Sequence, residues 1–173
     1  MRYAVAGVVL GAVLIGACAQ QTPAPPPKPD EGAIRAALEG RLTKIAEVLS
    51  KKDASAITSL FTDDAVWILP DASTFKGKDA IQKGAVDFFT SFDSVSNMSQ
   101  GIDKIVVVSD SEAVAFTIGK YTIYMKGKKG EAHINPYVDH WKKGSDGTWR
   151  IAYEVNSEGP ANPPPPAPTG KKS

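Results

Sequence analysis

The apolar residues of this chain change period once, and that change sets the fold class. Up to Phe89, apart from one brief strand, they recur at helical spacing; from Ile102 onward they follow strand patterns. Ile34, Leu38, Leu42, Ile45 and Leu49 stand three or four residues apart, one stripe of a long amphipathic helix, with Asp30 placed to cap it. Asp53 can cap a short second helix carrying Ile57, Leu60 and Phe61. Thr62, Asp63 and Asp64 read as a turn, both carboxylates capping and solvated, into a brief strand at residues 65–69 that Pro70 stops. A third helix is expected from Gly77-Lys78-Asp79, with Ile81, Ala85, Phe88 and Phe89 on its apolar face. Ile105 to Val108 is a β-branched run. Residues 113–125 and 131–143 read as two long strands around a hairpin loop, K-G-K-K-G. In the last strand, 148–156, Trp149, Ile151, Tyr153 and Val155 are expected on a buried face and Arg150, Ala152, Glu154 and Asn156 on a mixed one. Helices followed by an antiparallel meander make an α+β fold, its N-terminal helices packed on a curved antiparallel sheet. A cone built this way encloses a pocket.

The ends of the chain say where such a domain would sit. Met1-Arg2-Tyr3 precedes an apolar run, Ala4 to Ala17, of signal-peptide length and short for a bilayer span. The run closes with Ile15-Gly16-Ala17-Cys18, which resembles the bacterial lipobox: an aliphatic residue, two small ones that let the backbone enter a peptidase cleft, and a cysteine whose thiol accepts a diacylglycerol. The resemblance implies a signal peptide at 1–17, a mature protein beginning at lipidated Cys18, and fatty acids such as palmitate on that residue. Each buried methylene contributes roughly 0.8 kcal/mol of membrane affinity. Ala19 is not the aspartate that retains lipoproteins at the enterobacterial inner membrane. The expectation is therefore a lipid-anchored envelope protein, on the outer membrane facing the periplasm if the source is Gram-negative. Residues 18–29 form a Pro-rich linker that reaches on the order of 30 Å at polyproline rise, residues 30–158 the folded domain, and residues 159–173 a second Pro-rich tail expected to be disordered. Cys18 is the only cysteine, so an exported domain would depend on its core and not on an internal disulfide.

Charge excludes one class of partner. With 20 basic and 19 acidic residues the net charge is +1, which leaves no electrostatic footprint for nucleic acid. His133 and His140 fall on opposite strand faces with no cysteine or paired carboxylate beside them, so no metal site is expected. There is no Gly-rich phosphate loop and no G-x-S-x-G elbow, and no cofactor is implied.

Five segments, D-A-S-A-I-T-S-L-F-T-D-D (53–64), A-V-W-I-L-P (65–70), G-K-D-A-I (77–81), Y-V-D-H-W-K (137–142) and G-T-W-R-I (147–151), resemble the nuclear transport factor 2-like superfamily, in particular its SnoaL-like and ketosteroid-isomerase-like branch. The resemblance implies the cone fold. It leaves activity open, because this fold hosts enzymes, binding proteins and assembly domains. Ketosteroid isomerases place a general-base aspartate just before the proline ending the first strand; here that position is Leu69. Their oxyanion hole pairs a helix tyrosine with a protonated aspartate on a late strand. The tyrosine position falls near Ile45, and only the aspartate has a counterpart, Asp139. Ketosteroid isomerase activity is therefore not expected.

Asp139 is the leading site candidate. Alternation places it on one strand face with Asn135, Tyr137 and Trp141, unless a bulge at Pro136 reverses the faces. Among aromatics its carboxyl would be desolvated and held neutral, able to donate a hydrogen bond or act as acid/base. It could equally be a structural aspartate tied to the backbone. Trp67 reads as core or as pocket lining, and Tyr121, Tyr124 and Tyr153 as cavity hydroxyls or a dimer interface. Three functions follow. A pocket lined by Trp67, Tyr121, Tyr137 and Trp141 would bind a small apolar or amphipathic ligand. A cofactor-free isomerase, cyclase or dehydratase would use Asp139 as acid/base. An assembly module would form a homodimer through the outer sheet face.

Overall fold

The structure, a computed structural model, describes residues 28–125 and 127–157. Cys18, the lipobox, most of the Pro-rich linker and the C-terminal tail lie outside the described residues. Helix α1 spans Glu31–Lys51. Asp30 caps it by accepting from the Ala33 N–H, and it ends where Lys52 turns left-handed (φ 55°) and its N–H returns to the Leu49 and Val48 carbonyls. Its apolar stripe divides in two. Ile34, Leu38 and Leu42 are buried in the core, while Ile45 and Leu49 are half-exposed. Asp53 caps α2 (Ala54–Ile57), a 3₁₀ turn follows at Thr58–Leu60, and β1 (Phe61–Ile68), β2 (Thr74–Lys76) and α3 (Lys78–Thr90) come next. The remainder is β3 (Ser94–Ser109), β4 (Glu112–Tyr124), β5 (Glu131–Lys143) and β6 (Trp149–Asn156).

The six strands form one sheet in the order β2-β1-β6-β5-β4-β3. The helices cover its concave face. Arg35 of α1 donates to the Ile102 carbonyl of β3, and Gly84 of α3 lets the Phe75 ring approach to within 2.6 Å of where a Cβ would stand. That ring lies 5.7 Å from the Trp67 ring, so α3, β2 and β1 meet at one aromatic contact.

The fold is α+β as expected, with four differences. The meander β3 to β6 is antiparallel, but β1 joins β6 in parallel, through a register shift between Phe61 and Val66. Strand β1 begins at Phe61, so Asp63 and Asp64 belong to a strand and not to a turn; Asp63 forms an ion pair with Lys78 at 2.6 Å. Short polar side chains read as turn formers because they compete locally for backbone bonds, and strand pairing overrode that preference. Strand β3 starts at Ser94, eight residues before Ile102, where the strand pattern was expected to begin, and its irregular first stretch includes Asn97 at φ 52°.

The fourth difference is functional. The β5–β6 register shifts between His140 and Trp141, which oppose Tyr153 and Ile151, so Ala152 is an extra residue in β6. A bulge of one residue exchanges the two faces beyond it. Trp149 and Ile151 are buried as expected, but Tyr153 and Val155 are exposed on the outer face. Glu154 and Asn156 turn inward instead.

Candidate functional site

Between the helices and the sheet lies a cavity of about 580 Å³. Its apolar wall comes from Ile45 and Leu49 of α1, from Phe88 at the end of α3 with Phe92 just after it, and from Val95 and Ile123 of the sheet. Ile45 and Leu69 both line it. The positions where a ketosteroid isomerase would carry its tyrosine and its base are therefore present as apolar surface.

One end of the cavity is polar. Strand alternation carries Asn135, Tyr137, Asp139 and Trp141 to the inner face of β5, and the β4–β5 register runs without a shift past Pro136, which causes no bulge. Opposite them the Ala152 bulge brings in Glu154 and Asn156, with Asp139 paired directly to Glu154 and Tyr137 to Asn156. Glu154 Oε1 accepts from Trp67 Nε1 at 2.9 Å and from Asn156 Nδ2 at 2.7 Å. Asn156 Nδ2 also reaches the Ile68 carbonyl, and its Oδ1 accepts from Asn135 Nδ2 at 3.0 Å. Two donors thus hold Glu154 Oε1, and Ile68 and Asn135 in turn fix one of them, Asn156. Glu154 is half-buried: it lies deep in the fold, and the surface it keeps faces the cavity.

Asp139 stands one layer behind that wall. It is 0 % exposed, and neither carboxyl oxygen makes a hydrogen bond of standard geometry; the Trp141 indole N–H and the Glu154 carboxyl are its polar neighbours. Burial pushes its carboxyl well above the usual range, and the adjacent Glu154 charge pushes the same way. Glu154 is also raised by burial, opposed by the donors from Asn156 and Trp67 and by Asp139 itself. Two carboxyls side by side in low dielectric share one proton. The donors from Trp67 and Asn156 favour the charged form of Glu154, and Asp139, which lacks such donors, is the carboxyl pushed further up. Tyr137, 7 % exposed, contributes to the cavity lining while its hydroxyl is itself buried, with Thr117 as its polar neighbour, and its ionisation is pushed up by burial and by both carboxyls.

The candidates named from the sequence therefore separate. Trp67, Tyr121 and Tyr137 line the cavity, Trp67 being both core and lining; Tyr121 stacks on His133 with centroids 5.5 Å apart. Asp139 and Trp141 are not part of the lining but of the layer behind it. Tyr124 and Tyr153 are solvent-exposed, Tyr153 on the outer face. Glu154 and Asn156 were missed because unbroken alternation assigns them to the mixed outer face. Nothing local in W-R-I-A-Y-E-V-N marks Ala152 as the inserted residue. Among the described residues no cluster of three or more His, Cys, Asp or Glu side chains could hold a metal ion, and no helix is long and apolar enough to cross a membrane.

Comparison with known proteins gives the same architecture. Residues 42–153 match the SnoaL-like domain family. The structure is similar to that of a ketosteroid isomerase-like protein from Erwinia carotovora atroseptica (TM-score 0.63, 21 % identity, covering 72 % of this chain and 95 % of that one). It is also similar to a hexachlorocyclohexane dehydrochlorinase from Novosphingobium barchaimii (TM-score 0.62, 16 % identity, 73 % and 86 % covered). A third is a nuclear transport factor 2-like superfamily protein from Salmonella enterica serovar Typhimurium (TM-score 0.63, 17 % identity, 82 % and 97 % covered). No curated protein matches the sequence significantly. At these identities the structural likeness speaks for the fold alone; it is the match over most of the folded region, on a cone closed by β1, that makes this chain a member of the SnoaL-like domain family.

Proposed function

We propose that this protein is a lipid-anchored component of the cell envelope whose SnoaL-like domain binds a small apolar or amphipathic molecule. The observation that carries the binding reading is the cavity: about 580 Å³, apolar on the helix side, with the Glu154 carboxyl fixed by Trp67 and Asn156 at one end. That is the size and polarity of a small-molecule site. The lipobox at Cys18 supports the anchor, and the Pro-rich linker would hold the pocket close to the bilayer. Cys18→Ser is expected to release the protein from the membrane fraction with its fold intact. Mass spectrometry of organic extracts from that soluble variant should then find an apolar small molecule in stoichiometric amount. A variant that stays with the membrane would sink the anchor; apolar ligands of every size failing to bind would sink the pocket.

A second reading, cofactor-free acid/base catalysis, is favoured by one observation, the Asp139–Glu154 pair. A proton passed to a substrate would go through Glu154, which faces the cavity, with Asp139 as the buried reservoir behind it. A homodimer through the sheet is supported by exposed Val106, Val108, Phe116, Ile118, Tyr153 and Val155 on its outer face. Sedimentation equilibrium at micromolar concentration decides that point, and a monomer would exclude it.

A further inference from the structure

The cavity has a sign as well as a shape. Its ionisable lining side chains are Asp71 and Glu131, both exposed, His133, Glu154, and the phenols Tyr121 and Tyr137. No Lys or Arg is among the described residues that line it. Lys52, whose ammonium lies 4.9 Å from the ring centroid of the lining residue Phe92, is committed to the backbone carbonyls of Phe92 and Asp93. It therefore does not balance Glu154 at the other end of the wall.

Glu154 is the fixed point of that field. Trp67 and Asn156 both donate to Oε1, Asp139 is its remaining polar neighbour, and the carboxylate's other lone pairs are the acceptors offered to a ligand from the cavity side. With no Lys or Arg in the lining, nothing there balances a charge on this carboxylate. A carboxylate or phosphate ligand entering here would meet that charge in a medium too apolar to screen it. A neutral hydroxyl would satisfy the acceptor but leave the charge in place. One ammonium group would do both. It would also stand beside the indole of Trp67, which is hydrogen-bonded to the same carboxylate, and near the Tyr137 ring; aromatic faces attract cations. Phe88, Phe92 and Ile45 would hold the rest of such a molecule.

We infer that the cavity selects a lipophilic amine, with its ammonium on Glu154 and its hydrocarbon body against the α1 and α3 wall. This rests on the binding reading above and narrows it to a ligand class. The test uses three probes of one shape: 9-(aminomethyl)anthracene, 9-anthracenemethanol and 9-anthracenecarboxylate, titrated into the folded Cys18→Ser protein at pH 7 and read by anthracene anisotropy. The amine should bind at least tenfold more tightly than the alcohol, and the carboxylate at least tenfold more weakly. In Glu154→Gln, nearly isosteric and checked by circular dichroism, the amine should fall to within about threefold of the alcohol while alcohol binding holds. If the three probes bind alike, or the carboxylate binds best, the amine inference fails and the pocket reading stands. An amine preference that survives in Glu154→Gln also overturns it. If none of the three binds, the pocket reading falls and takes the inference with it. The wild-type series decides by itself should the variant not fold.

Discussion

Trp141→Ala is expected to lower the unfolding free energy by about 3–5 kcal/mol, a large share of the stability of a domain this size. Trp141 is 1 % exposed, the largest of the fully buried side chains, and belongs to the core that Leu38, Leu60 and Ile151 share. Removing the indole leaves a cavity that a sheet position cannot close, because β5 is paired on both sides, to Ala113 of β4 and Ile151 of β6. It also removes the only indole N–H beside the Asp139 carboxyl. Urea denaturation should show a lower midpoint at unchanged slope. Trp141→Phe, which keeps most of the volume, should lose far less. A loss below about 1 kcal/mol in Trp141→Ala would mean that the core repacks freely there, against the close packing that sets the usual cost.

Asp139→Asn is expected to raise stability at pH 8 and to leave it nearly unchanged at pH 4. The sign follows from linkage. A carboxyl raised in the folded state binds its proton more tightly folded than unfolded. Its native form therefore carries more protons once the pH exceeds the ordinary aspartate value of 3.8, and stability falls as pH climbs from there toward the raised folded value. An amide has no proton to lose, and at this position it can donate to Glu154. The gain at pH 8 follows from the same linkage, about 1.4 kcal/mol for each pH unit by which the folded carboxyl holds its proton above the ordinary value. The comparison must be made against the wild type at each pH. Asp53, Asp63, Asp71 and Asp146 are held below their usual range by backbone N–H groups or by Lys78 and Arg150, and they add stability as pH rises through the acid range. Thermal unfolding from pH 4 to 8 checks it. A variant equally destabilised across that range would show that Asp139 holds the fold through a bond to its charged form.

Much of the site was legible strand by strand. The inner face of β5 follows from alternation alone: Asn135, Tyr137, Asp139 and Trp141 are two residues apart, and the strand is regular where they lie. Trp67 and Tyr137 could be named because large amphipathic rings near a strand end either fill a core or line a cavity, and here they do both. Asp139 was singled out correctly as a desolvated carboxyl, but its depth was not visible. Periodicity gives a face and says nothing about which layer of that face reaches the cavity. Glu154 escaped because one inserted residue, Ala152, reverses the face of everything after it in β6, and a bulge has no reliable local signature in a run as regular as W-R-I-A-Y-E-V-N.

The chain by itself determined the elements and their class. Helical spacing from Ile34 to Leu49, aspartates at two helix starts, β-branched and aromatic runs and glycine-rich turns are local preferences, and local geometry satisfies them wherever they occur. It also carries Ile15-Gly16-Ala17-Cys18, whose resemblance to a lipobox is read without any fold and stands behind the proposed anchor. What only the tertiary structure decided is everything that depends on which strands become neighbours. The parallel seat of β1 beside β6 brings the Trp67 indole to Glu154, two residues 87 positions apart in the chain. The bulge turns Glu154 toward Asp139. Pairing between distant segments is set by the sum of core packing over the whole domain, so no window of sequence contains it. The charged end of the cavity is a product of that pairing.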